Sequence, residues 1–155
     1  MTIYLVRHVK AGERALWDDD DRLRQVSKTG QRQARGLLEV LENARFERIV
    51  SSPYVRCIES VAPLASVRGI AIEVSEALAE EAPLDEALAV LRKYADVGAV
   101  LCSHGDVIPM LLDHAASHGV DIGSSPQWPK GCTWALETNS AGDVTKARYL
   151  PPPSE

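Results

Sequence analysis

An α/β sandwich with three layers and a mostly parallel central sheet is the fold this sequence predicts, on three observations. Short apolar runs alternate with longer stretches whose apolar residues recur at i, i+3, i+4 and i+7, the β-α-β-α rhythm of a mainly parallel sheet covered by helices. Three of the runs end in Arg, His or Ser just before a turn or helix, as strands do where an open parallel sheet presents its carboxyl edge. The last two runs are joined by Asn139-Ser140-Ala141-Gly142, a hairpin turn that puts an antiparallel strand near one edge.

Taken in order, the first strand is read at 3–6 and stops at Arg7-His8. Ala34, Leu37, Leu38 and Leu41 then share one face of a helix for which Ser27 is the N-cap. The second strand, 46–50, stops at Ser51-Ser52-Pro53, and Pro53 opens a helix with Val55, Ile58, Ala62 and Ala65 on its apolar stripe. A third strand at 70–74 leads into the acidic loop Glu76–Glu81, and Pro83 opens a third helix carrying Leu84, Leu88, Leu91 and Ala95. The fourth strand, 98–102, stops at Ser103-His104-Gly105. Asp106 is read as the cap of a fourth helix with Ile108, Leu111, Leu112 and Ala115, Pro109 being tolerated in its first turn. Strands at 131–137 and 144–149 complete one domain, 1–150, and Pro151–Glu155 is expected to be a flexible tail.

A chain of 155 residues is long enough to bury a core without staples. Its 17 Lys and Arg against 22 Asp and Glu give a net charge of −5, which argues against a nucleic-acid polymer as partner but not against a small anion in a locally positive pocket. Cys57, Cys102 and Cys132 have no paired spacing and are read as buried free thiols. The five-residue apolar run before Arg7 is too short for a signal peptide and no stretch has the length to span a bilayer, so a cytoplasmic location without membrane contact is expected.

The residues at the three strand ends carry the chemistry. A neutral imidazole at His8 is able to attack phosphorus, and the resulting phosphohistidine is resolved by water. No metal or other cofactor is required if fixed positive charge neutralises the phosphoryl oxygens. Arg7 and Arg56 offer planar forks for bidentate phosphate binding, which Lys does not reproduce. His104 is expected to be protonated and to donate where charge builds up, with His8 neutral, so that the pair titrates together. Gly105 allows the backbone close to the ligand, and Lys10 is read as a further substrate contact at the entrance, against the alternative of a solvated surface Lys. Glu80 is the first choice for a proton donor to the leaving oxygen and Glu81 the second, against the reading of this segment as an exposed acidic loop capping the helix at Pro83.

Four segments together carry a resemblance: Leu5-Val6-Arg7-His8, Ser27 to Ala34, Ser51 to Ser60, and Ser103-His104-Gly105. In this order they resemble the histidine phosphatase superfamily, the phosphoglycerate-mutase-like fold, over nearly the whole chain. The resemblance implies His8 as the phosphorylated residue, Arg7, Arg56 and His104 as the rest of the phosphate pocket, and a carboxylate acid in the loop that contains Glu80. Short length and the Arg-His-Val-Lys-Ala-Gly opening look most like SixA-type phosphohistidine phosphatases, and also like the phosphatase domains that accompany some MutT-type nucleotide hydrolases. The expected substrate is therefore a phosphorylated protein or a small phosphorylated metabolite. Val9 replaces the usual Gly, and Ser60 stands where Thr is frequent.

Other signals are read as structural. Asp18 to Asp21 is taken as a solvated acidic face, although a metal-dependent reading of it predicts inhibition by chelator. His114 and His118 have zinc-compatible spacing on a helix but no carboxylate nearby in sequence, and are taken as boundary residues. Trp17 lies at the pocket entrance or in packing, and Trp128-Pro129-Lys130 is taken as loop packing ahead of the alternative that Lys130 adds charge near the pocket. A non-catalytic phosphate-binding module is the alternative of another class; it needs Arg7 and Arg56 but not His8.

Overall fold

Alternation of inward-facing apolar residues on two sides of one sheet is what organises the computed structural model, which describes residues 1–155. The strands are β1 (Thr2–Arg7), β2 (Arg48–Ser51), β3 (Ile72–Val74), β4 (Ala99–Ser103), β5 (Thr133–Thr138) and β6 (Val144–Leu150). The helices are α1 (Lys28–Val40), α2 (Val55–Arg68), α3 (Leu84–Tyr94) and α4 (Val107–Ser117), with 3₁₀ turns at Arg14–Leu16, Asp21–Leu23 and Glu76–Leu78. The sheet order is β3-β2-β4-β1-β5-β6. β1 to β4 pair in parallel, and β5 is antiparallel to both β1 and β6, as the hairpin signal anticipates.

In β1, Ile3 and Leu5 face a core shared with α3 and α4, whereas Val6 faces a second core shared with α1 and α2. Three layers follow from that alternation. The strands start or end one or two residues away from the sequence reading, where apolar runs continue into turns. No helix is long and apolar enough to cross a membrane.

Two helix starts differ in detail from expectation. The helix expected at Pro53 begins at Val55, because Ser52 is used ahead of it: its hydroxyl accepts the Tyr54 N–H at 3.2 Å. Asp106 is the N-cap residue of α4, but its carboxylate makes no capping bond and instead accepts the Glu81 N–H at 2.7 Å. Ser27 caps α1 as anticipated, accepting the Gly30 N–H at 3.1 Å. Gly30 itself is required by contact, since a Cβ there would lie 1.9 Å from the Lys10 carbonyl oxygen. That carbonyl also accepts the Ser27 N–H at 3.0 Å, so the start of α1 is bolted to the loop that follows β1. At the far end, in the segment expected to be a flexible tail, Pro153 lies against Gly36 and Pro152 against Gly131.

Candidate active site

Sheet register brings the expected residues to one level. Arg7 pairs with Ser103, and Ser51 with Cys102, so three strands end side by side. As the chain leaves the sheet, the His8 N–H donates to the Ser103 carbonyl at 3.1 Å and the Ser52 N–H to the Cys102 carbonyl at 3.0 Å. His8, 4 % exposed, and His104, 1 % exposed, then face each other with ring centroids 5.4 Å apart. Arg56, the second residue of α2, is fully buried and is the largest such side chain in the protein. A buried guanidinium needs compensation. Here Nη1 donates to the Asp21 carbonyl at 2.9 Å, and Nη2 donates to Asp21 Oδ2 at 3.0 Å and to Glu80 Oε1 at 2.8 Å. Glu80 Oε1 also accepts from Arg14 at 3.3 Å and lies 3.6 Å from His104 Nδ1.

The two imidazoles hold different nitrogens toward the site. His8 Nδ1 lies 2.8 Å from the Val9 carbonyl, which is only an acceptor, so this nitrogen carries the hydrogen and Nε2 keeps its lone pair. His104 Nε2 lies 2.8 Å from the Ser52 hydroxyl, which already accepts the Tyr54 N–H. Glu80 Oε1, a carboxylate acceptor 3.6 Å from Nδ1, draws the hydrogen to that nitrogen, and Ser52 then donates to Nε2. Cys57 Sγ lies 3.5 Å from the same Nε2.

Burial first, and then the charges of Arg56 and Arg7, hold the His8 pKa down to about 3, against the Val9 carbonyl, which favours the proton. Burial, His8 and Arg56 hold His104 down to about 2. The expectation of a protonated His104 is thus corrected: both rings are neutral, because the loss of water and the neighbouring guanidiniums outweigh what the nearby carboxylates of Glu80 and Asp21 offer His104. His104 still donates, through Nδ1–H.

Three buried side-chain nitrogens in the site have no hydrogen-bond partner: Arg7 Nε, Arg56 Nε and His104 Nδ1. The fourth unpartnered buried atom in the protein is Thr133 Oγ1, on β5. Orphaned buried donors are costly and rare, and three in one place match a tetrahedral oxyanion. The Arg7 fork is fixed by a 2.9 Å bond from Nη1 to the Trp128 carbonyl. It lies flat over Gly105, where a Cβ would meet Arg7 Cζ at 2.7 Å, so this glycine makes room for the guanidinium. Arg7, His8, Lys10, Glu80 and Gly105 line a cleft of about 260 Å³. Glu81 is not on its wall: it is exposed, with φ of 68°, and contributes its backbone N–H to Asp106.

Val9 and Ser60, the two departures from the family pattern, touch. The Val9 N–H donates to Ser60 Oγ at 2.9 Å, and that hydroxyl donates to the Arg56 carbonyl at 2.6 Å. Val9 is fully buried in the core under α1 and α2, a larger side chain at 9 opposite a smaller hydroxyl residue at 60. The carbonyl that fixes the His8 tautomer is held by this pairing.

Three contributors escaped the sequence reading. The expectation that Asp21 belongs with its neighbours to a solvated face is corrected, since its carboxylate binds Arg56 and, at 2.9 Å, Arg24 Nε. Burial opposes ionisation of Asp21, but hydrogen bonds from Arg24 and Arg56 hold its pKa below the usual carboxylate range. Arg24 is 5 % exposed and also donates to the Gly12 carbonyl. Asp and Arg at i, i+3 were the available signal. Lys130, taken as loop packing, lines the cleft. His114 and His118 lie elsewhere, in a separate cavity, and no three His, Cys, Asp or Glu side chains converge as a metal site needs. All three cysteines are buried free thiols, and burial pushes Cys132 up to about 12.

A family model described as the histidine phosphatase superfamily (branch 1) matches residues 3–83. An 8-oxo-(d)GTP phosphatase of Mycolicibacterium smegmatis is 31% identical over 159 residues, covering 99% of this chain and 49% of that relative, so the chain spans about half its length. Among solved structures, the protein histidine phosphatase SixA complexed with tungstate is similar at a TM-score of 0.78 and 16% identity, covering 99% of this chain and 97% of the other. The alpha-ribazole phosphatase of Shigella flexneri is similar at 0.71 and 15%, covering 99% and 96%. At these identities the structural likenesses speak to the fold.

Proposed function

The chain belongs to the histidine phosphatase superfamily, and on that premise we propose that it is a metal-independent phosphatase whose nucleophile is Nε2 of His8. The observation that carries this reading is the trio of orphaned donors, Arg7 Nε, Arg56 Nε and His104 Nδ1, around an imidazole whose other nitrogen is tied to the Val9 carbonyl. The lone pair of Nε2 forms the N–P bond, the bond to the leaving atom breaks, and water then attacks phosphorus and returns the pair to Nε2. Fixed guanidiniums and the His104 N–H hold the three phosphoryl oxygens while charge shifts among them. Glu80, on the cleft wall, is the proton source where the leaving oxygen needs one.

Two substrate classes fit this chemistry: a phosphohistidine side chain, as in SixA-type enzymes, and a small phosphorylated molecule. The relative at 31% identity, a nucleotide phosphatase by name, supports the second. The test is a rapid quench after mixing with a labelled phosphoryl donor. Label on His8, acid-labile and alkali-stable, is the expected result. Turnover without any such label, under conditions where the label is preserved, defeats the mechanism.

A further inference from the structure

The cleft carries more positive charge than one phosphoryl group needs. Five of its lining side chains are cationic against two carboxylates, on a chain whose net charge is −5. The cations are not equivalent. Arg14 is paired with Glu80 and Asp21, and Arg24 with Asp21. Lys10 is 3.8 Å from Glu155, with both side chains exposed. Arg7 and Lys130 have no carboxylate partner.

Arg7 is accounted for by the transferred phosphoryl group. Lys130 is not, and it is held in place by the nucleophile's own strand. The Gly131 N–H is shared between the Arg7 and His8 carbonyls at 3.1 and 3.0 Å, and the Arg7 N–H donates to the Cys132 carbonyl at 3.0 Å. With Arg7 Nη1 on the Trp128 carbonyl, Trp128 and Gly131, which bracket Pro129-Lys130, are hydrogen-bonded to Arg7 and His8. Partial burial and the arginines around it, Arg7 foremost, lower its pKa, which marks a cation crowded by like charges. Such crowding is relieved by an anion.

Glu80 supplies a second and independent constraint. Its Oε1 accepts from two guanidiniums, so the carboxyl nearest the site is engaged in holding Arg56. A leaving group that departs without a strong acid suits this arrangement. Phosphoanhydrides and phosphoramidates both qualify, and only the former brings another negative group to Lys130.

We infer that Lys130, with Lys10 at the cleft mouth, forms a second anion subsite, and that the substrate class is a small-molecule diphosphate whose terminal phosphoryl group is transferred. This rests on the reading of His8 as nucleophile. Nε2 bonds to the terminal phosphorus, the bond from that phosphorus to the bridging oxygen breaks, and the electron pair leaves on that oxygen as part of a monophosphate. Water then attacks the phosphohistidine, Nε2 recovers its pair, and the proton of water passes to the phosphate or to solvent.

The test compares kcat/KM for a nucleoside 5′-diphosphate, the matching 5′-monophosphate and a phosphohistidine peptide, in the wild type, Lys130→Ala and Lys130→Arg. The wild type is expected to favour the diphosphate over the monophosphate by about tenfold, the scale of one charge-assisted contact. Lys130→Ala brings that ratio toward one through KM, and Lys130→Arg retains it; because the readout is a ratio within one variant, partial loss of folded protein does not alter it. A wild-type ratio of one or less, a ratio unmoved by Lys130→Ala, or a preference for the phosphohistidine peptide overturns the inference. Label on His8 together with any of these sinks the second subsite alone; absence of label from every donor sinks the nucleophile as well.

Discussion

Two histidine pairs in this protein invite comparison. His114 and His118, on α4, are the closer pair, with ring centroids 4.4 Å apart, and they border the larger cavity, about 500 Å³ between α3, α4 and the β5–β6 hairpin. His8 and His104 are 5.4 Å apart, and His8 lines a cleft of about half that volume. Each region also holds an Arg–Asp pair, Arg92 with Asp143 in one and Arg56 with Asp21 in the other. Yet His114 and His118 are half-buried and exposed, and His118 spends its Nδ1 on the carbonyl of His114 one turn back. Nothing there is buried without a partner. What separates the proposed active site from a surface groove is fixed, water-excluded donors left unsatisfied beside an imidazole, not cavity size or the nearness of two imidazoles.

The largest expected effect breaks this comparison or establishes it. His8→Ala should lower kcat by at least about 10⁴-fold, since removal of a nucleophile leaves only the binding contributions. His118→Ala should leave kcat within about twofold, as for a surface substitution away from the site. Steady-state assays on p-nitrophenyl phosphate decide it. Comparable losses in the two variants would falsify the assignment of chemistry to one pair and not the other.

Next is the cost of keeping two imidazoles dry. Burial holds His8 at about 3 and His104 at about 2, against 6.5 for an imidazole in water. Below pH 6.5 the unfolded chain gains a proton at each ring and the folded chain does not, so these groups lower stability as pH falls from 6.5 toward 3. Each contributes a slope of up to about 1.4 kcal/mol per pH unit in that window. His104→Gln should remove its share, making the denaturant-derived stability flatter between pH 6 and 4 than in the wild type. An unchanged slope would mean that the ring takes up its proton in the folded state.

How far the sequence discloses this site depends on what each residue's position is fixed by. Arg7, His8 and His104 were legible because a parallel sheet delivers strand ends to one edge, and Arg56 because it opens the helix that follows the second strand. Asp21, Arg24 and Lys130 were not, because they lie on loops whose paths are set by ion pairs and carbonyl contacts formed only after folding. The Asp run illustrates the limit: four identical side chains, of which one turns inward to a buried arginine. Protonation was equally hidden. A sequence names an imidazole, but the depth of its burial, which fixes His104 as neutral, belongs to packing.

The smallest expected effect is the most discriminating, because it sets one Asp–Arg pair against the other. Asp21 meets a guanidinium with no exposure, at 3.0 Å, and adds its backbone carbonyl to the same group. Asp143 meets Arg92 at 3.7 Å with side chains 59% and 49% exposed. Exposed pairs contribute about 0–1 kcal/mol, so Asp143→Asn should barely move either stability or activity. Asp21→Asn keeps the shape but removes the charge opposite Arg56 and one of the two acceptors that Arg24 and Arg56 share, and should cost about 1–3 kcal/mol of stability. Activity should fall about tenfold, borne by kcat if Arg56 acts mainly on the transition state. If Asp21→Asn loses stability while kcat and KM stay at wild-type values, Asp21 supports the fold around Arg56 without positioning it for catalysis.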